Sequence, residues 1–413
     1  MKVVKIILGI VLCLLILVHI VMLYFGQASI ITTFLFYILI GLGCWAISNY
    51  FLAKKSNEKH QNISLFIVSS VICLLVAEIS LKYVFQANLT FSEKSGGFFY
   101  RSKYRGILWE TLIRKHWFHQ DDLQLFVYRP NSIRVFERPE FVFESRYNSM
   151  GLRGPEPDTS AALNNIVGLG DSFTEGFGVH EDSSWFNLFV DQISLSDTSS
   201  KYQGINGGFS GSDIFYEYVV LKKLLLKYNP DYIILDINTS DIDDVIMRGG
   251  FERFKPDGTI QYKSNPWWEC FYSFSYIFRG ILHSTYDIHW NLLTEEQNTI
   301  EALKAEDLIC DCIVNEYKEL ALKNKFNLVV TFHPRINELQ SKTIAFARCK
   351  EKLKQENSII FIDMQKEFEH EIEGDKIDIV KLYYPIDLHH TALGNKVWAD
   401  VLSKEFQKKN LNK

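Results

Sequence analysis

The sequence predicts an α/β protein: a three-layer α/β/α domain around a parallel sheet, preceded by an N-terminal transmembrane helical region. Three observations predict it. Short apolar runs alternate with helix-length segments after about residue 161, three apolar runs of bilayer length precede residue 86, and a glycine-rich turn, GLGDSFTEGFG at 168–178, follows the first short run. With 413 residues, 47% of them hydrophobic, and a net charge of -5, the chain can bury a full core and is too long for one small domain. Basic residues are slightly outnumbered and no basic stripe is interleaved with aromatics, which argues against nucleic acid as a partner.

The first element is the membrane region, residues 1–85. Runs at 6–25, 29–52 and 63–85 each approach or exceed the roughly 20 residues that a spanning helix needs. The first is too long for a cleavable signal peptide and is followed by two more. Lys2 and Lys5 before the first run, and Lys54, Lys55 and Lys59 between the second and third, belong on the cytoplasmic side. An odd number of spans then leaves everything beyond about residue 86 periplasmic or extracellular, with the lipid bilayer as a partner. Glu78 and Lys82, one helical turn apart, are expected to reach toward the interface. Cys270, Cys310, Cys312 and Cys349 lie beyond the spans; their spacing shows no metal-ligand pattern and fixes no disulfide pairing.

Residues 86–160 read as a connector. The segment at 98–118 mixes aromatics with Arg101, Lys103, Arg105, Arg114 and Lys115, which suits a membrane surface or a solvated helix equally. From 122 to 154, β-rich runs broken by Pro130 and Pro139 predict an irregular strand layer.

Residues 161–413 carry the alternating pattern. NIVGL, DYIILDI, NLVVTF and SIIFIDM are the predicted strands, and a segment from 299 to 325 places Leu303, Leu308, Cys312, Ile313, Tyr317 and Leu320 along one helical side. Buried strands joined by helical crossovers imply a parallel sheet, with reactive groups at the carboxyl ends of its strands.

The turn at 168–178 is not a phosphate cradle. A dinucleotide fingerprint needs Gly or Ala where Phe173 stands, and a Walker loop needs a lysine that is absent. A serine on a tight glycine turn between strand and helix is instead exposed, with its own N–H aimed at the site. Ser172 still needs a base to take its proton. Asp387, His389 and His390, in YYPIDLHHTALGN, stand just before the last predicted helix and supply candidates. His333 also ends a predicted strand, and its expected role is structural.

The order GDSFTEG, NGGFSG, a strand ending in NTSD, then DLHHTALGN resembles the GDSL, or SGNH, hydrolase family over roughly residues 145–405, and NSMGLRG at 148–154 resembles the lead-in of its bacterial members. The resemblance implies a flavodoxin-like fold, Ser172 as nucleophile with Asp171 beside it, and an oxyanion hole that includes the Gly208 N–H. Where the family has Gly-x-Asn-Asp, this sequence has Asn238, Thr239, Ser240 and Asp241. Either Ser240 or Asn238 completes the oxyanion hole, or that donor is missing. Asp-x-x-His spacing selects His390 as base, whereas the helix start selects His389, with Asp387 orienting the ring; the helix start constrains geometry better.

The expected function is therefore a membrane-anchored, extracytoplasmic serine esterase that removes an O-acyl group from an envelope glycan or lipid, with no cofactor and no metal. An O-acyltransferase using the same site, or a binding protein that has kept the fold without the chemistry, are the alternatives.

Overall fold

The computed structural model describes residues 117–120, 125–159, 163–197, 200–256 and 293–410, with scattered positions at 73–80 and 268–285. The expected spans at 6–25 and 29–52, most of that at 63–85, and most of the segment at 98–118 lie outside the described residues. Among the described residues no helix is long and apolar enough to cross a membrane. The chain divides into two compact units, residues 1–108 with 261–299, and residues 109–260 with 300–413.

In the larger unit the expected irregular strand layer is two antiparallel hairpins. β1 (Trp117–Gln120) pairs with β2 (Leu125–Tyr128), and β3 (Ser132–Arg138) with β4 (Phe141–Tyr147). Pro139 and Glu140 form the second turn, where proline's missing N–H breaks no ladder. Along β4, Phe141, Phe143, Ser145 and Tyr147 are buried while Val142 and Arg146 are exposed, the period of two that a half-buried strand requires.

The parallel sheet follows: β5 (Asn164–Leu169), β6 (Tyr202–Asn206), β7 (Tyr232–Asn238), β8 (Asn327–His333) and β9 (Ile359–Ile362), in the order β6-β5-β7-β8-β9. Four of these are the predicted apolar runs. β6, YQGIN, escapes the sequence reading because its first three residues, at the sheet edge, are only half-buried. Ile166, Ile234, Val329 and Ile360 join one apolar cluster, and the alternating Val167, Ile233, Leu328 and Val330 are buried on the opposite face, so the sheet is covered on both sides.

The helices are α1 (Ser172–Glu175), α2 (Trp185–Ser196), α3 (Ile214–Val220), α4 (Thr239–Arg248), α5 (Glu295–Asp311), α6 (Lys318–Asn324), α7 (Ile336–Ser341), α8 (Ala347–Leu353), α9 (Met364–Asp375) and α10 (Ala392–Asn410). α2, α9 and α10 bury Phe186, Phe189, Phe368, Trp398 and Phe406 against one sheet face. Between α5 and α6, residues 312–317 form a π turn. Its extra residue per turn rotates the buried stripe, so Leu303 and Leu308 are exposed and Ala305, Ile309 and Cys310 are buried in their place. The apolar side predicted from uniform helical spacing thus holds only from Cys312 onward.

Glu78, which the sequence reading takes toward the interface, belongs to the smaller unit. It is buried, and its carboxylate accepts a hydrogen bond from Ser275 Oγ at 2.5 Å and a longer one from the Ile277 N–H at 3.4 Å.

Candidate active site

β5 stops at Leu169 and the chain turns through Gly170 into α1. Asp171 caps that helix, its Oδ1 accepting from the Phe173 N–H at 2.9 Å, so Ser172 occupies the first helical position. No acceptor among the described residues takes the Ser172 N–H, as expected of the first donor in a helix. α1 lasts one turn because Gly176 adopts φ +80°, the left-handed conformation that favours glycine, and returns its N–H to the Ser172 and Phe173 carbonyls.

The far end of this turn is held by the lead-in. Arg153, buried, donates to the carbonyls of Glu175 at 2.7 Å, Gly176 at 2.6 Å and Val179 at 2.7 Å, satisfying the oxygens that a one-turn helix leaves open. Asn148 orders the same lead-in by accepting the Met150 and Leu152 N–H groups on its Oδ1. Glu175, fully buried, accepts from Tyr128 at 2.9 Å, Tyr147 at 3.2 Å, the Ser210 N–H at 2.7 Å and the Ser210 hydroxyl. Burial and the Glu175 charge push the Tyr147 phenol well up, so it remains a donor. The hairpins, the serine turn and the loop after β6 are therefore one hydrogen-bonded assembly.

The structure brings His389, and not His390, to the serine. His389 Nε2 lies 2.6 Å from Ser172 Oγ, and His389 Nδ1 lies 2.5 Å from Asp387 Oδ1. This order suits a ring that carries its proton on Nδ1 and presents Nε2 as acceptor. Phe173 and Phe177 wall the imidazole, with ring centroids 4.9 and 5.0 Å away. His390 points inward, packed by Tyr383, His333 and Phe368, and neither ring nitrogen has a protein partner. Burial, then the neighbouring His333 and His389, hold it well below the usual histidine range, so it stays neutral. His333 is also buried, its Nδ1 3.0 Å from Asp236 Oδ2 and its ring 4.3 Å from that of Phe173.

The oxyanion candidates divide. The Gly208 N–H donates to Asn206 Oδ1 at 2.9 Å, within its own loop. Glycine is required there by close packing, since a Cβ would lie 2.3 Å from the Glu175 nitrogen. Asn238 Nδ2 donates to Asp171 Oδ2 at 2.8 Å while its Oδ1 caps α4 through the Ser240 N–H. The Ser240 hydroxyl lies 3.0 Å from Asp171 Oδ2 and 2.6 Å from Asn238 Oδ1. Asn238 and Ser240 thus converge on the carboxylate that caps the helix of Ser172. In the loop after β6, the N–H groups of Gly207, Gly208, Phe209, Ser210 and Ser212 all have acceptors within the protein. Gly211, at φ +72°, is left with an N–H that no described residue accepts, and Arg248 holds its carbonyl at 2.8 Å. The resemblance pointed to Gly208, whose N–H goes to Asn206 Oδ1, whereas no described residue takes that of Gly211. Gly211 stands in the same NGGFSG block, but only the acceptor assignments separate the two.

No family model matches the chain, and no curated protein matches its sequence. Among solved structures, the chain is similar to a two-domain esterase, CEX, active on acetylated mannans (14% identity over 60% of this chain and 50% of that one, TM-score 0.36). It is also similar to the lipase Lip_vut3 from a goat rumen metagenome (14%, 59% and 97%, TM-score 0.39), and to a catalytic mutant of the acetylxylan esterase Axe2 from Geobacillus stearothermophilus (13%, 60% and 96%, TM-score 0.36). This chain spans about half the length of the two-domain esterase.

Proposed function

We propose that the protein is a serine hydrolase of carboxylic esters, with Ser172 as nucleophile, His389 as general base and Asp387 as its orienting acid. The observation that carries this reading is the continuous contact Ser172 Oγ, His389 Nε2, His389 Nδ1, Asp387 Oδ1, at 2.6 and 2.5 Å, at the carboxyl end of a parallel sheet. Ser172 Oγ attacks the acyl carbonyl as His389 takes its proton, and the Asp387 carboxylate stabilises the imidazolium. The unspent N–H of Ser172, joined by that of Gly211, receives the negative oxygen. The protonated imidazole then gives its proton to the leaving alcohol, an acyl group stays on Ser172, and water, deprotonated by His389, releases it as a carboxylic acid.

The setting is proposed with the chemistry. Residues 1–85 tether the chain through three spans, and the catalytic unit, which takes in the hairpins before residue 161, faces outward; the lysine distribution and the three apolar runs support this. An outward site suits acylated envelope glycans or lipids.

The test is labelling of the full chain in detergent by a fluorophosphonate, with hydrolysis of short- and long-chain acyl esters. Labelling that Ser172→Ala abolishes supports the enzyme. A folded wild-type protein that neither labels nor hydrolyses overturns it in favour of a binding protein, and ester turnover that rises when a sugar acceptor is added supports an acyltransferase.

A further inference from the structure

The loop that carries Asp387 has a demanding backbone. Leu388, between the acid and the base, sits at φ +69°, a left-handed conformation that side chains bearing a Cβ rarely adopt. The loop's amide donors show what holds it. Tyr384 gives its N–H to the His389 carbonyl at 2.8 Å, Pro385 has none, and Leu388 donates to the Tyr384 carbonyl at 2.9 Å. The two remaining donors, Ile386 and Asp387, both go to one carboxylate outside the loop: Glu140, whose Oε1 and Oε2 accept them at 2.8 and 2.7 Å.

Glu140 lies at the tip of the β3–β4 hairpin, 247 residues before Asp387 and outside the parallel sheet. The next residue, Phe141, packs on the Tyr384 ring at 4.7 Å, and the Tyr384 hydroxyl donates to the Gly178 carbonyl at 2.9 Å. Hairpin, acid loop and serine segment are thereby joined at one rim. Nothing in the hairpin's own ladder uses the Glu140 carboxylate, whereas the acid loop uses both of its oxygens.

We propose that Glu140 is a positioning residue for the catalytic acid: it clamps the peptide planes on either side of Ile386, maintains the left-handed turn at Leu388, and so keeps Asp387 Oδ1 against His389 Nδ1. This rests on the esterase reading above. A carboxylate accepting two successive amides is charge-assisted on both bonds and sets the loop's orientation as well as its place. Without it the two amides turn to water, Leu388 relaxes, and the acid leaves the ring. Displacements of about 1 Å at a catalytic group cost about a hundredfold in rate.

The test uses the full chain in detergent, with Ser172-dependent ester hydrolysis of the wild type established first. Glu140→Ala is expected to lower kcat by about ten- to a hundredfold with KM little changed, and Glu140→Gln, which keeps an acceptor without the charge, is expected to recover part of the loss. The decisive arm is a double-mutant cycle with Asp387→Ala. If Glu140 acts through Asp387, its replacement adds no further loss once Asp387 is gone; if it only braces the hairpin, the two losses multiply. Melting temperatures of each variant separate unfolding from mispositioning, and Glu140→Gln with a wild-type melting temperature keeps the test open should Glu140→Ala fail to fold. An active wild type with full kcat in both Glu140 variants, or multiplying losses, overturns this inference alone. An inactive wild type overturns the esterase reading and this one with it.

Discussion

His389 Nε2 stands 2.6 Å from Ser172 Oγ although 217 residues separate them, and the Asp387 carboxylate completes the line on the other side of the ring. A nucleophile and base that act as a unit fail together. Ser172→Ala and His389→Ala are each expected to reduce acyl-ester turnover by at least about a thousandfold, and combining them to cost little more. His390→Ala is expected to leave turnover within about tenfold of wild type and to lower the melting temperature instead, because it empties a buried site. Steady-state hydrolysis beside thermal melts checks the three.

Ser240 stands where the resembled family places an oxyanion donor, yet its hydroxyl faces Asp171 and Asn238. Ser240→Ala is therefore expected to lower kcat by less than about tenfold, where loss of a true oxyanion donor costs about 100- to 1,000-fold. A loss in that larger range would return Ser240 to the oxyanion hole.

Arg153 satisfies three carbonyls behind the serine turn. Arg153→Ala strands them in a buried place and is expected to destabilise the protein by at least about 3 kcal/mol, since bonds from a charged donor are worth about 1.5–3 kcal/mol each. Arg153→Lys should recover less than half, lacking the planar fork that reaches separate oxygens at once. Chemical denaturation gives the numbers, and an unchanged midpoint would remove this role.

Stability should fall on the acid side through His390. Its folded state resists protonation, whereas the unfolded chain takes up a proton near the ordinary histidine value of about 6.5. The sign follows: the contribution is complete above that value and is lost as pH falls below it. His390→Phe, which fills the site without a titratable ring, is expected to show a smaller drop in melting temperature between about pH 8 and about pH 5. An equal drop would place the acid sensitivity elsewhere.

The sheet was legible in the sequence where strands are buried on both faces, since Tyr232–Asn238 and Asn327–His333 read as short, mostly apolar runs. β6 was not, because its first three residues, Tyr202, Gln203 and Gly204, are only half-buried and leave no apolar run. The GDS turn and the DLHH segment could be read as parts of a single site, and the helix start favoured His389, whose Nε2 lies 2.6 Å from Ser172 Oγ. What could not be read are features set by direction and distance. Gly208 and Gly211 share a block, and only the acceptors around them tell whose N–H is spent. Arg153 and Glu140 act on carbonyls and amides 22 to 26 and 246 to 247 residues away, separations at which no local pattern survives. The phase of α5 failed for a local reason, the π turn at 312–317, which uniform helical spacing does not anticipate.

The imidazole arrives with the segment after Tyr383, long after Ser172 and its cap have been made. During synthesis, which proceeds from the N-terminus, the emerging serine has no partner to ionise it until that final stretch leaves the ribosome. The hydroxyl stays without its base until then, and a chain cut short before His389 carries Ser172 with no imidazole to take its proton.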